Sequence, residues 1–140
     1  MSALSLSDTL HRLMHRYTYL LREGVRHQGI TLSITQIRTL KSIRSLPSST
    51  TQSIADHLTR DKAQITRALH ALLKAQLITK HSNPQDQRSA LLAITEDGQQ
   101  ILNQLDIAEE WAAEMLTQDL DDEQLALFLT ISQQMLTPTR

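Results

Sequence analysis

Between Thr50 and Gly98 the chain sets down local signals in an order that few folds satisfy. Thr50 to Leu58 and Asp61 to about Ala75 each read as a short amphipathic helix, and only Thr59-Arg60 separates them. Two short aliphatic and β-branched runs follow, Ile78-Thr79-Lys80 and Ala90 to Ile94, on either side of the polar stretch His81 to Arg88. Thr95-Glu96-Asp97-Gly98 then opens another helix. Helix, tight turn, helix and hairpin in that order describe a winged helix-turn-helix. Such a shape can lay one helix in a DNA major groove with the hairpin beside it.

Composition supports helices. Gly and Pro number three each in 140 residues, and Trp, Phe and Tyr together number four, so the core must be aliphatic. There is no cysteine, which excludes disulfides, zinc–thiolate sites and thiol redox sensing. No run is long enough for a membrane span, and Met1-Ser2-Ala3-Leu4-Ser5 lacks the apolar centre of a signal peptide, so a cytoplasmic protein is expected. The net charge is only −1, but it is segregated. Residues 1–55 carry seven Lys/Arg against two Asp/Glu, residues 56–95 six against three, and residues 96–140 one against ten. A basic body with an acidic end gives a local field suited to phosphate binding.

Helical spacing of Leu10, Leu13, Met14, Tyr17, Leu20, Leu21 and Gly24 predicts a first helix over about 7–27, stopped near Gly29. Ser33-Ile34-Thr35-Gln36 has the form of a capping box for a second, which Pro47 ends. Asp61-Lys62-Ala63-Gln64 repeats that form at the fourth. Thr95 is placed as the cap of a long fifth helix carrying Ile101, Leu105, Ala108, Ala112 and Met115. Asp121 to Gln124 opens a sixth helix. The expected fold is mainly α with one small β-hairpin wing, in a single domain. Residues of about 33–95 form the DNA-binding lobe, and 1–30 with 96–140 the dimerisation helices.

On the fourth helix, Leu69, Leu72 and Leu73 fall within about 80° of Ile65 at 100° per residue and form an inner stripe. Ala63, Arg67, His70 and Lys74 cluster opposite, flanked by Gln64 and Thr66. That outer face is cationic and has no carboxylate beyond the capping Asp61, and Ala63 keeps it shallow near its start. Arg67 can bond guanine or clamp a phosphate, and Gln64 can pair with adenine. Lys62, Thr66 and the free N–H groups of the helix start suit phosphates, and His70 suits either partner. In the hairpin, Asp86 and Arg88 stand two apart on one side of an extended segment, where the carboxylate can orient the guanidinium for a minor groove. Asn83 and Lys80 are placed at the DNA backbone. Thr50 and Gln52, at the start of the third helix, complete the candidate DNA contacts.

With these residues the chain resembles the MarR family of bacterial transcription regulators. The likeness lies in Thr51-Gln52-Ser53-Ile54-Ala55-Asp56-His57-Leu58, in Asp61 to Leu69 with its Thr66-Arg67 pair, and in Leu77-Ile78-Thr79-Lys80. It continues through Asp86-Gln87-Arg88 and Leu92-Ala93-Ile94-Thr95-Glu96-Asp97-Gly98. Two departures stand out. Gln76 replaces the family's usual Gly after the recognition helix, which costs about 1 kcal/mol in a left-handed cap unless the helix ends differently. Lys80 and Ile94 stand for the usual Arg and Leu in the wing.

The resemblance implies a homodimer with interlocked terminal helices, and Leu4, Leu6, Leu10, Leu125, Phe128, Leu129, Met135 and Leu136 are the apolar residues such a pairing would cover. It further implies a pseudo-palindromic operator on double-stranded DNA, repression by occlusion, and no enzymatic activity. No cofactor is expected. A small aromatic or phenolic anion is the expected kind of effector, with His11, His15, Tyr17, Arg38 and Trp111 as its candidate site. Two alternatives are a winged-helix protein–protein adaptor and a metal-responsive regulator using His11 and His15, which stand at i, i+4. No phosphate loop, Gly-x-Ser-x-Gly or cysteine nucleophile supports an enzyme.

Overall fold

The computed structural model describes residues 5–138. Its elements are α1 (Leu6–His27), α2 (Ile34–Ser45), α3 (Thr51–Leu58), α4 (Lys62–Lys74), β1 (Ile78–Ser82), β2 (Ala90–Ile94), α5 (Glu96–Leu116) and α6 (Asp122–Leu136). This is the mainly helical, one-winged architecture expected. Two compact units divide the chain: Gln28–Asp106, and Met1–His27 with Ile107–Arg140.

In the first unit the caps set the helix starts. Ser33 Oγ accepts from Gln36 N–H at 3.2 Å while Gln36 Oε1 accepts from Ser33 N–H at 3.0 Å. Thr50 and Ser53 exchange the same pair of bonds at α3. Asp61 departs from the expected box. Its carboxylate accepts from Ala63 N–H at 2.7 Å, and Gln64 N–H bonds the Asp61 carbonyl instead. Because the shorter reach satisfies the second helical donor, the Gln64 side chain is not drawn back to the cap.

α3 and α4 close through left-handed residues, whereas α2 ends in extended backbone at Leu46. Leu77 N–H donates to Leu72 O and Gln76 N–H to Leu73 O, both at 3.0 Å, with Gln76 at φ 61°. That is a Schellman closure with a side chain where glycine is usual. Thr59 closes α3 at φ 51°, and Arg60 N–H reaches back to Ala55 O at 3.0 Å. Between these turns α2, α3 and α4 pack on one another around Leu40, Ile54, Ile65 and Leu72, all fully buried. Each contributes roughly 1.5–3 kcal/mol through loss of water contact. Ala68 joins this core; its small side chain hid it among the stripe-forming leucines.

β1 and β2 pair antiparallel in the register Ile78↔Ile94 to Ser82↔Ala90. The strand is longer than its aliphatic start indicated. His81 and Ser82 are paired opposite Leu91 and Ala90, so the apolar partner strand sets the length of the ladder. Leu92 N–H also donates to Ser49 O at 2.9 Å, which ties the wing to the segment before α3.

The Thr95-to-Gly98 motif has a steric cause. Thr95 Oγ1 donates to Gln76 O at 2.8 Å and accepts from Gly98 N–H at 3.1 Å, while Thr95 N–H donates to Leu77 O at 3.1 Å. A Cβ on Gly98 would collide with the Leu77 carbonyl oxygen.

In the second unit Gly24 brings α1 close to α5; a Cβ there would sit 2.8 Å from Ala108 O and 3.2 Å from Trp111 Cε3. α6 has no buried residue. Leu127, Phe128, Leu129, Ile131, Met135 and Leu136 are all exposed, and so are Leu6, Leu10, Leu13 and Met14 on α1. Leu125 is half-buried, and Leu4 lies outside the described residues. Stepped at 100° per residue, the apolar residues of α6 span an arc of about 200°, twice the roughly 100° stripe that a helix lying on one neighbour needs.

Candidate nucleic-acid interface

The outer face of α4 follows from its inner one. Ile65 and Leu72 are fully buried and Leu69 nearly so, which fixes the rotation of the helix. Lys62, Ala63, Thr66, Arg67, His70 and Lys74 are consequently exposed. Arg67 is thus an exposed residue and not part of the core. Thr66 Oγ1 donates to Lys62 O at 2.8 Å, so its hydroxyl retains acceptor capacity only.

Gln64 is half-buried and lines a recess of about 320 Å³ with Ser33, Thr35 and Gln36 of the α2 start, Arg60 of the turn, and Arg67. Two guanidinium groups beside the opening turn of a helix favour an anion, since both supply positive charge and directed N–H donors. Arg60 lies in the turn between α3 and α4, and spacing alone does not mark it as lining this recess. Ser33 and Gln36 were read only as caps. A basic residue directly before an N-cap Asp, close in space to another helix start, was the signal present.

At α3, Thr50 is half-buried and committed to its capping bonds. Gln52 is exposed, and its amide donates to Asp56 Oδ1 at 2.8 Å, which orients it along the helix surface.

The wing tip is a braced turn. Asn83 Oδ1 accepts from Gln85 N–H at 3.0 Å, and its amide donates to Ser89 Oγ at 3.0 Å. Asp86 Oδ1 accepts from Arg88 N–H at 3.0 Å and lies 3.7 Å from Arg88 Nε. Asp86 and Arg88 therefore meet through a turn and not through strand alternation, because β2 begins only at Ala90. The exposed pair contributes little stability, 0–1 kcal/mol at most by order of magnitude (~1). Its effect is positional: the carboxylate folds the turn and leaves Arg88 with a side chain 95% exposed. Lys80 is exposed on β1.

The candidate effector residues fall into separate places. His11 and His15 line a shallow groove on α1 with Arg12, Arg16 and Tyr19, and the Arg16 guanidinium carbon lies 5.7 Å from the Tyr19 ring centre. Tyr17 and Trp111 are half-buried and do not line it; Trp111 packs edge-on against His27, with ring centres 5.1 Å apart. Burial raises the Tyr17 hydroxyl pKa above the ordinary tyrosine value, and the Glu109 carboxylate adds to that. Arg38 is exposed on α2, in the other unit. Among the described residues no three His, Asp or Glu side chains gather as a metal site, and no helix is long and apolar enough to cross a membrane.

A cationic helix face held by a packed helix-turn-helix, with a braced hairpin beside it, defines a winged helix-turn-helix protein. Residues 32–90 match the model of the MarR family. The fold is also that of solved MarR structures. Wild-type MarR from E. coli in its apo form is similar at 23% identity and a TM-score of 0.83, over 96% of this chain and 99% of that one. An E. coli MarR mutant complexed with operator DNA is similar at 23% identity and a TM-score of 0.77, over 94% and 93%. The PcaV transcriptional regulator from Streptomyces coelicolor is similar at 18% identity and a TM-score of 0.74, over 94% and 95%.

Proposed function

We propose that this chain is a cytoplasmic transcription regulator that binds double-stranded DNA as a homodimer and represses by occluding a pseudo-palindromic operator. The observation that carries this is the outer face of α4: exposed, cationic, shallow at Ala63, and free of carboxylates past Asp61. The likeness to a MarR mutant bound to operator DNA supports the reading. In it, Arg67 and Gln64 address base edges, Lys62, His70, Gln52 and Lys80 lie along the backbone, Thr66, its proton given to the Lys62 carbonyl, is left only to accept, and Arg88 reaches the adjacent minor groove. Arg60 with the α2 start holds a phosphate. The uncovered apolar arc of α6 supports the homodimer, which would set two recognition helices about 34 Å apart.

Footprinting on DNA flanking the chain's own gene tests this. The expected result is one protected, two-fold symmetric site whose affinity falls steeply with salt as phosphate contacts release counterions. Arg67→Ala and Arg88→Ala each weaken it. A winged-helix adaptor would instead keep its function in both variants. An effector, an aromatic or phenolic anion, would act by binding one spacing of the two lobes better than another; a shift of DNA affinity on adding such an anion, lost on substitution at His11 or His15, tests that part.

A further inference from the structure

Leu20 and Gly24 are buried on α1, and a Cβ on Gly24 would press on Ala108 and Trp111 of α5, so the rotation of α1 is fixed. Stepped at 100° per residue, Arg12, Arg16, Arg22 and Arg26 then fall with His11, His15 and Tyr19 in an arc of about 140° on the side away from that contact. All of them are exposed. Asp8 and Glu23 are the only carboxylates of the helix, and Glu23 is taken by Arg26. Among the described residues no ion pair joins Arg12, Arg16 or Arg22 to a carboxylate. From Arg12 to Arg26 the row is about 21 Å long at 1.5 Å per residue. The effector groove at His11 and His15 takes only one end of it, and Arg22 stands beyond that groove.

We propose that this row on α1 is a second DNA-binding surface, which grips the phosphodiester backbone of a duplex without reading its sequence. This rests on the DNA-binding reading and adds a contact that α4 and the wing do not make. The cations are strung along one straight helix and do not converge on a point. A small anion therefore engages neighbouring pairs at most, whereas a linear polyanion engages the whole row. Duplex DNA carries one phosphate charge per ~1.7 Å of its axis, so the ridge spans about six base pairs. Arginine and tyrosine are ordinary partners of phosphate oxygens, and such contacts carry no sequence information. The Arg16 guanidinium carbon lies 5.7 Å from the Tyr19 ring centre, which reduces the freedom that side chain loses on binding. An anionic lipid surface would need the apolar face of α1, which is turned the other way and partly buried. DNA is also the polyanion that the rest of the molecule addresses.

Fluorescence anisotropy of the full chain on a random-sequence duplex of about 30 bp, titrated over a range of salt, tests the ridge. Arg22→Gln should lower the slope of log affinity against log salt by about 0.9, and Arg12→Gln/Arg16→Gln/Arg22→Gln by about 2.7. The triple variant should bind at least about tenfold more weakly at roughly 0.05 M salt, and lysine at the same three positions should restore both affinity and slope. Preference for the DNA flanking the chain's own gene over the random duplex should survive in the triple variant and fall in Arg67→Ala. An unchanged slope in the triple variant overturns the proposal, and so does a loss that lysine does not restore or that tracks a weaker dimer in sedimentation equilibrium. An effect of Arg12 and Arg16 without one of Arg22 confines the site to the small-anion groove and overturns it too. A triple variant that loses affinity for a poly-glutamate chain but not for the duplex gives the ridge to an acidic protein instead. A wild-type chain that binds neither duplex sinks the DNA-binding reading itself; one that binds both, with an unaltered triple variant, removes the ridge alone.

Discussion

Gln76 and Thr59 both hold a side chain at positive φ, where the Cβ crowds the backbone. Gln76→Gly and Thr59→Gly should each stabilise the fold by about 0.5–1 kcal/mol, the relief of that crowding less the extra freedom glycine gains in the unfolded chain. Urea melts would show a higher midpoint with an unchanged slope. Gly98→Ala should do the reverse, by about 2 kcal/mol or more, because the added carbon meets a backbone oxygen that cannot step aside. Tyr17 supplies a pH dependence. Its folded pKa is raised, so the folded state holds the phenolic proton more tightly than the unfolded state does. The associated stability is complete below the unfolded pKa of about 10 and is lost as pH rises through the folded value. Thermal melts should fall more steeply with pH above ~10 for wild type than for Tyr17→Phe. Of these residues, Gln76 was legible as a departure from a family pattern. Thr59 was not, since nothing in the propensity of a β-branched residue points to a left-handed cap.

At the scale of elements, α4 was the most legible part of the chain, because one buried stripe dictates which side chains remain outside. What escaped was decided by neighbours. Arg60 acquires its place only when α2 brings Ser33 and Gln36 alongside, and the length of β1 is set by β2. The recess predicts a division of labour. Arg60→Ala should weaken binding to all DNA sequences alike and lower the salt slope by about one, whereas Gln64→Ala should relax preference at one base position. Competition binding against a panel of operator variants separates the two. For the wing, Asp86→Ala removes the bond that folds the turn and should reduce DNA affinity severalfold while leaving the melting temperature nearly unchanged, since the exposed Asp86–Arg88 pair contributes little stability.

For the whole molecule, the charge segregation visible in the sequence reappears as a basic α1 and a carboxylate-rich α5–α6, but which apolar residues stay uncovered needed coordinates. Ile107, Leu127 and Ile131 were not singled out by spacing, yet all are exposed. Leu129→Asp should yield monomers at every salt concentration, and no oppositely charged partner variant should rescue it; light scattering would read this directly. The monomer should retain its helical lobe and lose most operator affinity, since one half-site then binds alone. Finally, the bare backbone at Gly98 rests on the carbonyl of Leu77, and Thr95 grips both Gln76 and Leu77. The tail of α4 and the head of α5 are thereby soldered without a cushioning side chain. Any turn of α5 about its first residues must therefore drag the backbone at Gln76 and Leu77, two and three positions past the end of α4.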